Sequence, residues 1–450
     1  MRFAIKEVTL FERDVRLRMP FRFGVVTLTE SPQAFVRCRV RTEDGREAEG
    51  AAAELLAPKW FDKNPALSNE DNFDQLRSSL RAARATYLAQ DMDTAWRHST
   101  PTRGLVENYG PALLDRAVLD GLLRCLGISF YQGINLNVIG AESFEGMDLP
   151  RHFAGLNPSR SIAARHTVGL VDPITAADQK ERVDDGLPET LEEVVARYGQ
   201  HWFKLKVGGD ARADVERLGA IAAVLDRIPE PYHASLDGNE QYEDMGGVAE
   251  LWSKMKAAQR LQRLVDSILF IEQPVKRQKA LEKKVAGVDK PVIIDESDDA
   301  LDAFPRAKAM GYLGVSSKTC KGMYKSLINS ARCAAWNEGT SAQGPDVGGY
   351  FMSGEDLTIQ PGLALQQDLA LVSLLGIAHV ERNGHHYVNG MAGLPAGEQD
   401  AFLAAHPDLY EHSHGAVRPR ITAGKMATGS LACAGFASAA MPEWKSMREM

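Results

Sequence analysis

The sequence predicts an α/β barrel joined to an α+β unit, and three observations lead there. From about residue 158 short apolar strands alternate with helical stretches, the rhythm of βα units around a parallel sheet. The first 55 residues alternate apolar and polar positions about an Asp-Gly step, the pattern of an antiparallel sheet with a hairpin turn. Charged residues close five successive strands of the second region. The chain has 450 residues, enough for two or three domains at roughly 150 residues each.

In the first unit, Phe3 to Arg13, Phe35 to Arg41 and Arg46 to Ala51 read as strands, with the turn at Glu43-Asp44-Gly45. Apolar residues recur at three- and four-residue spacing from Asn72 to Gln90 and from Leu113 to Leu126, which marks amphipathic helices. Met19 to Glu30 and Glu54 to Pro65 are mixed in character and rich in Phe, Gly, Pro and Trp; they are expected to be loops of the kind that cover ligands.

In the second unit eight strands are expected: Ile162 to Gly169, Trp202 to Val207, His233 to Asp237, Leu269 to Glu272, Val292 to Asp295, Gly314 to Lys318, Thr340 to Gln343 and Ile377 to Val380. Helices are expected at Leu191 to Tyr198, Ala213 to Leu225, Val248 to Val265, Leu281 to Ala286, Met323 to Trp336 and Glu355 to Leu374. Eight such units in this length fit a (β/α)8 barrel. Past about residue 395 the rhythm gives way to a tail rich in Gly, Ala and Pro.

Composition excludes several classes. Hydrophobic residues are 44% and charged residues 25%, so the chain has the makings of a large core and is neither disordered nor collagenous. Fifty-two Lys and Arg against 60 Asp and Glu give a net charge of −8, which argues against nucleic acid as a partner. Five scattered cysteines without a CxxC pair suggest a reducing, cytoplasmic setting. No apolar run approaches the roughly 20 residues of a membrane span, and Met1 to Lys6 lead directly into the alternating pattern, so no targeting segment is expected.

Active sites of barrels lie at the C-terminal ends of the strands, so the charges found there carry information. Lys204 and Lys206 lie two apart on one strand and share its inward face, while Phe203 and Leu205 face the other way. Asp237, Glu272 and Asp295 end the next three strands, and Lys318 ends the one after. Three neighbouring acids repel one another unless a cation joins them, and an all-oxygen set suits Mg²⁺ better than zinc. The flanking lysines are too few to neutralise the acids, which points them towards proton transfer. Any one such charge is more often merely solvated; the ordered series is what favours a site.

The set Lys204-x-Lys206, Asp237-x-Asn239, Glu272-Gln273-Pro274, Asp295-Glu296-Ser297 and Lys318-x-x-Lys321-Gly322 resembles the enolase superfamily, within its muconate lactonizing enzyme subgroup. The gaps of 31, 35, 23 and 23 residues from Lys206 through Asp237, Glu272 and Asp295 to Lys318 are each about one βα unit. The resemblance spans nearly the whole chain. It implies a modified (β/α)7β TIM barrel at 158–395 and an α+β capping domain formed by residues 1–157, to which the C-terminal segment 396–450 returns. It further implies that Asp237, Glu272 and Asp295 bind Mg²⁺, that Lys206 and Lys318 are acid and base on opposite faces of a small carboxylate substrate, that Lys204 supports Lys206, and that the protein is a homo-oligomer.

The chemistry implied is abstraction of a proton α to a carboxylate, through an enolate stabilised by the metal. Lys206 needs a pKa near neutrality, and the cation at Lys204, the metal and partial burial all favour its neutral amine. Asn239 and Glu296 are supporting residues, with Glu296 expected to hydrogen-bond one of these lysines. Phe23, Trp60, Gln343 and Glu381 are candidate substrate contacts, and His166 and Asp346 are further residues near the site. Two lysines allow racemisation or epimerisation, the leading expectation, as well as cycloisomerisation or dehydration by elimination. Non-catalytic binding of metal and carboxylate is the rival from another class, and a Mg²⁺-dependent aldolase is a third. Strand eight lacks the Asp-x-Asp pair by which dipeptide epimerases of the family hold an amino group, which disfavours a dipeptide. Glu411-His412-Ser413-His414 reads as an exposed part of the tail.

Overall fold

A computed structural model describes residues 1–23, 26–339 and 348–450. The N-terminal unit is an antiparallel sheet of β1 (Phe3–Phe23), β2 (Val26–Thr42) and β3 (Glu47–Leu55). The Asp-Gly turn joins β2 to β3, with Gly45 donating to the Thr42 carbonyl. The helices α1 (Asn69–Leu88) and α2 (Leu105–Leu126) cover this sheet. Ser68 caps α1 through a reciprocal bond with Asp71. At the closest approach of α2 to β3, a Cβ on Gly50 would lie 2.1 Å from the Ala117 carbonyl oxygen, so only glycine fits there.

The loop expected at Met19 to Glu30 is instead the far end of a long hairpin. Buried Met19, Phe21, Phe23, Val26 and Leu28 alternate with exposed Pro20, Arg22 and Thr27, the period-two pattern of a strand. Phe21 pairs with Leu28 and Phe23 with Val26. The ladder shifts register between Arg16 and Phe21, around Pro20, which has no N–H to give.

Eight parallel strands follow: β4 (Ser161–Val168), β5 (Trp202–Lys206), β6 (His233–Asp237), β7 (Ile268–Glu272), β8 (Val292–Ile294), β9 (Gly314–Ser317), β10 (Phe351–Gly354) and β11 (His379–Arg382). They pair in chain order, and β11 pairs back with β4, which closes an α/β barrel of TIM type. The seventh strand is Phe351–Gly354; the strand expected at Thr340 to Gln343 lies outside the described residues. The eighth lies two residues later than expected, and this sets Glu381 opposite Arg165.

Two expected helices also move. The helix expected from Glu355 runs only over Leu363–Leu374, because Pro361 disfavours helical backbone at the residue before it. The short helix after β7 is Arg277–Ala280, and the chain past Leu281 leaves it to bond through Val285 to the Met310 carbonyl.

Outward-facing Phe203, Leu205, Leu236, Ile271, Ile294 and Val315 pack against the surrounding helices. Each such side chain is worth about 1.5–3 kcal/mol of burial. Inward positions alternate with these, so Phe270, Ile293 and Phe351 plug the lower lumen. Glu272 and Asp295, two residues further on, therefore face its upper end.

The C-terminal segment touches both units. The strand β12 (Lys425–Ala427) pairs antiparallel with β4, Phe436 stacks on Phe130 at 4.0 Å, and β13 (Arg448–Glu449) pairs with β1. Among the described residues no helix is long and apolar enough to cross a membrane.

Candidate active site

Alternation along β5 puts Lys204 and Lys206 inside the barrel, both almost fully buried. Lys206 Nζ lies 2.5 Å from Asp237 Oδ2. Asp237 is fully buried at the end of β6, and its other oxygen accepts the Asn239 N–H at 2.7 Å. Glu272 ends β7. Asp295 follows β8, with Lys318 Nζ 2.6 Å from its Oδ2 and Lys321 Nζ 3.4 Å from its Oδ1.

The turns carrying these groups are fixed by their neighbours. The Gln273 side-chain carbonyl accepts the N–H groups of Asp295 and Ser297, and its amide donates to Ser297 Oγ and the Val275 carbonyl. Gln273, Asn239 and Glu240 all have positive φ, an uncommon backbone for such residues, and they sit beside Asp237 and Glu272. Gln273 stood in the sequence motif without a role; its amide is what holds the Asp295 turn against β7.

Lysines enter the acidic cluster more deeply than the sequence suggested. Lys204 Nζ stands 2.9 Å from Asp237, 2.7 Å from Glu272, 2.7 Å from Glu355 and 2.9 Å from Glu381. It therefore sits in a ring of four carboxylates, whereas the sequence expectation made it a supporting cation for Lys206. The flanking ammonium groups, described above as too few to neutralise the acids, each contact one or more of them. Burial alone would depress the Lys204 pKa, but these carboxylates outweigh it and raise it well above the ordinary lysine value. Asp295 is likewise held well below the usual carboxylate range: Lys318, Lys321 and Lys204 overcome its burial. Burial, reinforced by Asp237 and Glu355, pushes Glu272 well up.

Glu272 decides whether a cation fits. It is wholly buried, and neither of its oxygens receives a hydrogen bond, although one lies at ion-pair distance from Lys204. A buried carboxylate without a hydrogen bond matches, beside Asp237 and Asp295, the hard, all-oxygen donor set of Mg²⁺. As the side chains stand, no group of three or more acids, histidines or cysteines among the described residues is arranged to hold a metal. Asp237 and Asp295 each give an oxygen to a lysine instead.

Glu296 does not bond the barrel lysines. Lys63, from the loop after β3, reaches over to Glu296 Oε1 at 3.2 Å, to Glu240 Oε2 at 2.5 Å and to the Asn239 carbonyl at 2.8 Å. Asn239 Nδ2 lies 3.3 Å from the same Glu296 oxygen. Arg277 clamps that loop from the barrel side, donating to the Trp60 and Phe61 carbonyls and to both oxygens of Glu240. Trp60 in turn lies over Lys318, whose Nζ is 4.4 Å from the ring centroid.

One cavity gathers six of the expected residues. Lys206, Lys318, Asn239 and Glu381 line it from the barrel, and Phe23 and Trp60 line it from the N-terminal unit, with Phe21, Leu28 and Ala57 beside them. The acids are buried at the strand ends, Asp237 next to Lys206, Asp295 next to Lys318 and Glu272 next to Lys204. Gln343 and Asp346 lie outside the described residues. His166 faces away from the site: it points out of the barrel to His385, Nδ1 to Nε2 at 3.2 Å. Sequence reading missed Glu355 and Arg165, because each is an isolated charge whose strand position shows only once the barrel register is known.

Residues 186–354 match the model of a family described as Enolase C-terminal domain-like. No curated protein sequence matches the chain. Among solved structures, a muconate lactonizing enzyme from Mycobacterium smegmatis, complexed with muconolactone, is similar at 16% identity and a TM-score of 0.63, over 99% of this chain and 100% of that one. The L-Ala-D/L-Glu epimerase from Bacillus subtilis is similar at 17% identity and 0.62, over 97% and 100%. A dipeptide epimerase from Cytophaga hutchinsonii, complexed with Mg and the dipeptide D-Ala-L-Val, is similar at 14% identity and 0.62, over 99% of each chain.

Proposed function

We propose that this chain belongs to the enolase superfamily through its barrel and is an isomerase that abstracts the proton α to the carboxylate of a small acid, acting as a racemase or epimerase. The observation that carries the reading is the opening of two lysines, Lys206 from β5 and Lys318 from the end of β9, onto one cavity. Binding an anion needs one cation; moving a proton off one face of a carbon and onto the other needs two.

Asp237, Glu272 and Asp295 would hold Mg²⁺. When bound, that ion supplies charge neutralisation at the substrate carboxylate as the α proton leaves. Lys206 Nζ takes the proton from one face and Lys318 Nζ returns one to the other; in the reverse direction the two exchange roles. Asp237 and Asp295 position these amines through the contacts at 2.5 and 2.6 Å. Trp60, Phe21, Phe23 and Leu28 close the cavity with apolar surface, which excludes water and selects a substrate with an apolar group. Asn239 and Asn383 each leave a buried amide oxygen without a donor on the same cavity, where a substrate N–H or O–H would bind.

The test is a set of α-substituted carboxylates incubated with the protein and MgCl₂ in deuterated water. Deuterium entering the α position without carbon–carbon cleavage supports the reading. Turnover by cleavage, or tight binding with no exchange across the set, refutes it.

A further inference from the structure

We propose that Glu355 is a positioning residue for the metal site: with Glu381 it takes the hydrogen bonds of the Lys204 ammonium, leaving Glu272 free of them for a divalent cation. This rests on the reading of Asp237, Glu272 and Asp295 as the Mg²⁺ ligands.

Four carboxylates surround one ammonium, which has three hydrogens to donate. The directed hydrogen bonds go to Glu355 Oε2 at 2.7 Å and Glu381 Oε2 at 2.9 Å. Lys204 Nζ is as near to Glu272, at 2.7 Å, and to Asp237, at 2.9 Å, but Glu272 receives no hydrogen bond on either oxygen. The Lys204 nitrogen thus sits midway in its ring while its hydrogens are aimed at Glu355 and Glu381.

That side is built to hold it. Glu355 is fully buried just past β10, and its Oε1 accepts from Arg165 and from Ser353 Oγ. Arg165 is anchored in turn on the Gly354 carbonyl at 2.9 Å, Ser353 Oγ at 3.1 Å and His379 Nδ1 at 2.7 Å. Glu381 is pinned by Thr167 Oγ1 at 2.6 Å and by the Asp356 N–H at 2.9 Å. Both carboxylates are therefore held in place to take the hydrogens of Lys204. A neutral residue at 355 would turn a hydrogen of Lys204 onto Glu272, where it competes with the dication for the same oxygens.

The experiment titrates MgCl₂ into the full-length protein by isothermal calorimetry, with circular dichroism as the check on folding. Glu355→Gln should weaken Mg²⁺ binding on the order of tenfold, Glu355→Asp should retain most of the affinity, and Lys204→Met added to Glu355→Gln should restore it. A loss of affinity that persists in the Lys204→Met, Glu355→Gln double variant would show that Glu355 acts through general structure and overturn the proposal, as would unchanged affinity in Glu355→Gln. Should Glu355→Gln not fold, Glu381→Gln takes its place, with the same weakening and the same rescue expected, and the same contrary results overturn the idea. Wild-type protein that binds no Mg²⁺ overturns the ligand assignment, and this inference with it; binding that is lost in Glu272→Gln but unchanged in Glu355→Gln overturns the inference alone.

Discussion

The Nζ of Lys318 stands 4.4 Å from the centre of the Trp60 indole, so the N-terminal unit touches an amine of the barrel through the face of one aromatic ring. That contact, in a site shut off from water, fixes the direction of the amine. Trp60→Leu keeps an apolar wall but removes the ring. A ring–cation contact is worth about 0.5–2 kcal/mol, so kcat should fall about 2- to 30-fold with KM changed less. Steady-state kinetics in both reaction directions measure this, and an unchanged kcat would deny Trp60 a part in placing Lys318.

Arg277 joins the loop that carries Trp60 to the rim of the barrel. Its guanidinium meets two loop carbonyls and the buried Glu240. Arg277→Met leaves Glu240 paired with Lys63 alone. Removing one partner of a buried pair costs about 3–5 kcal/mol, so thermal unfolding should shift downward and KM should rise as the loop loosens. A variant with wild-type melting and KM would show that the clamp is idle.

Three histidines on the outer side of β4, His166 and His386 buried and His385 partly so, make the fold acid-sensitive. Burial holds His166 and His386 well below the ordinary value of 6.5, and His385 at about 3. Below about pH 6.5 the unfolded chain takes up protons that the native state refuses. The stability these groups contribute is therefore complete above 6.5 and is lost as the pH falls towards 3. Each histidine adds a slope of about 1.4 kcal/mol per pH unit inside that window. Urea unfolding between pH 7 and pH 4 should show the decline, and His385→Gln should make it shallower by about one proton. An equal slope in that variant would remove His385 from the account.

The barrel and its acids were legible because their chemistry is local. An apolar strand that ends in a charge states its own address, and Asp237, Glu272, Asp295, Lys206 and Lys318 each sit at such an end. Glu355 was hidden because its strand, Phe351–Gly354, is short and follows a stretch rich in Gly, and a helix was expected from that residue onward. The hairpin tip at Met19 to Leu28 looked like a loop because Pro20 and Gly24 punctuate it, yet the alternation of Phe21, Phe23 and Leu28 carries the strand. The Lys63–Glu296 pair joins residues 233 positions apart. No spacing in the sequence announces such a contact; only the closing of the N-terminal unit over the barrel creates it.

The measurement that tests the central claim most directly is α-proton exchange in deuterated water, followed separately for each enantiomer of a turned-over substrate, in Lys206→Ala and Lys318→Ala proteins. Loss of a positioned acid or base costs about 10²- to 10⁴-fold in turnover, and each variant should still exchange the enantiomer served by the lysine it retains. Exchange of both enantiomers in either variant, or of neither in both while the fold is intact, would contradict an assignment of one lysine to each face.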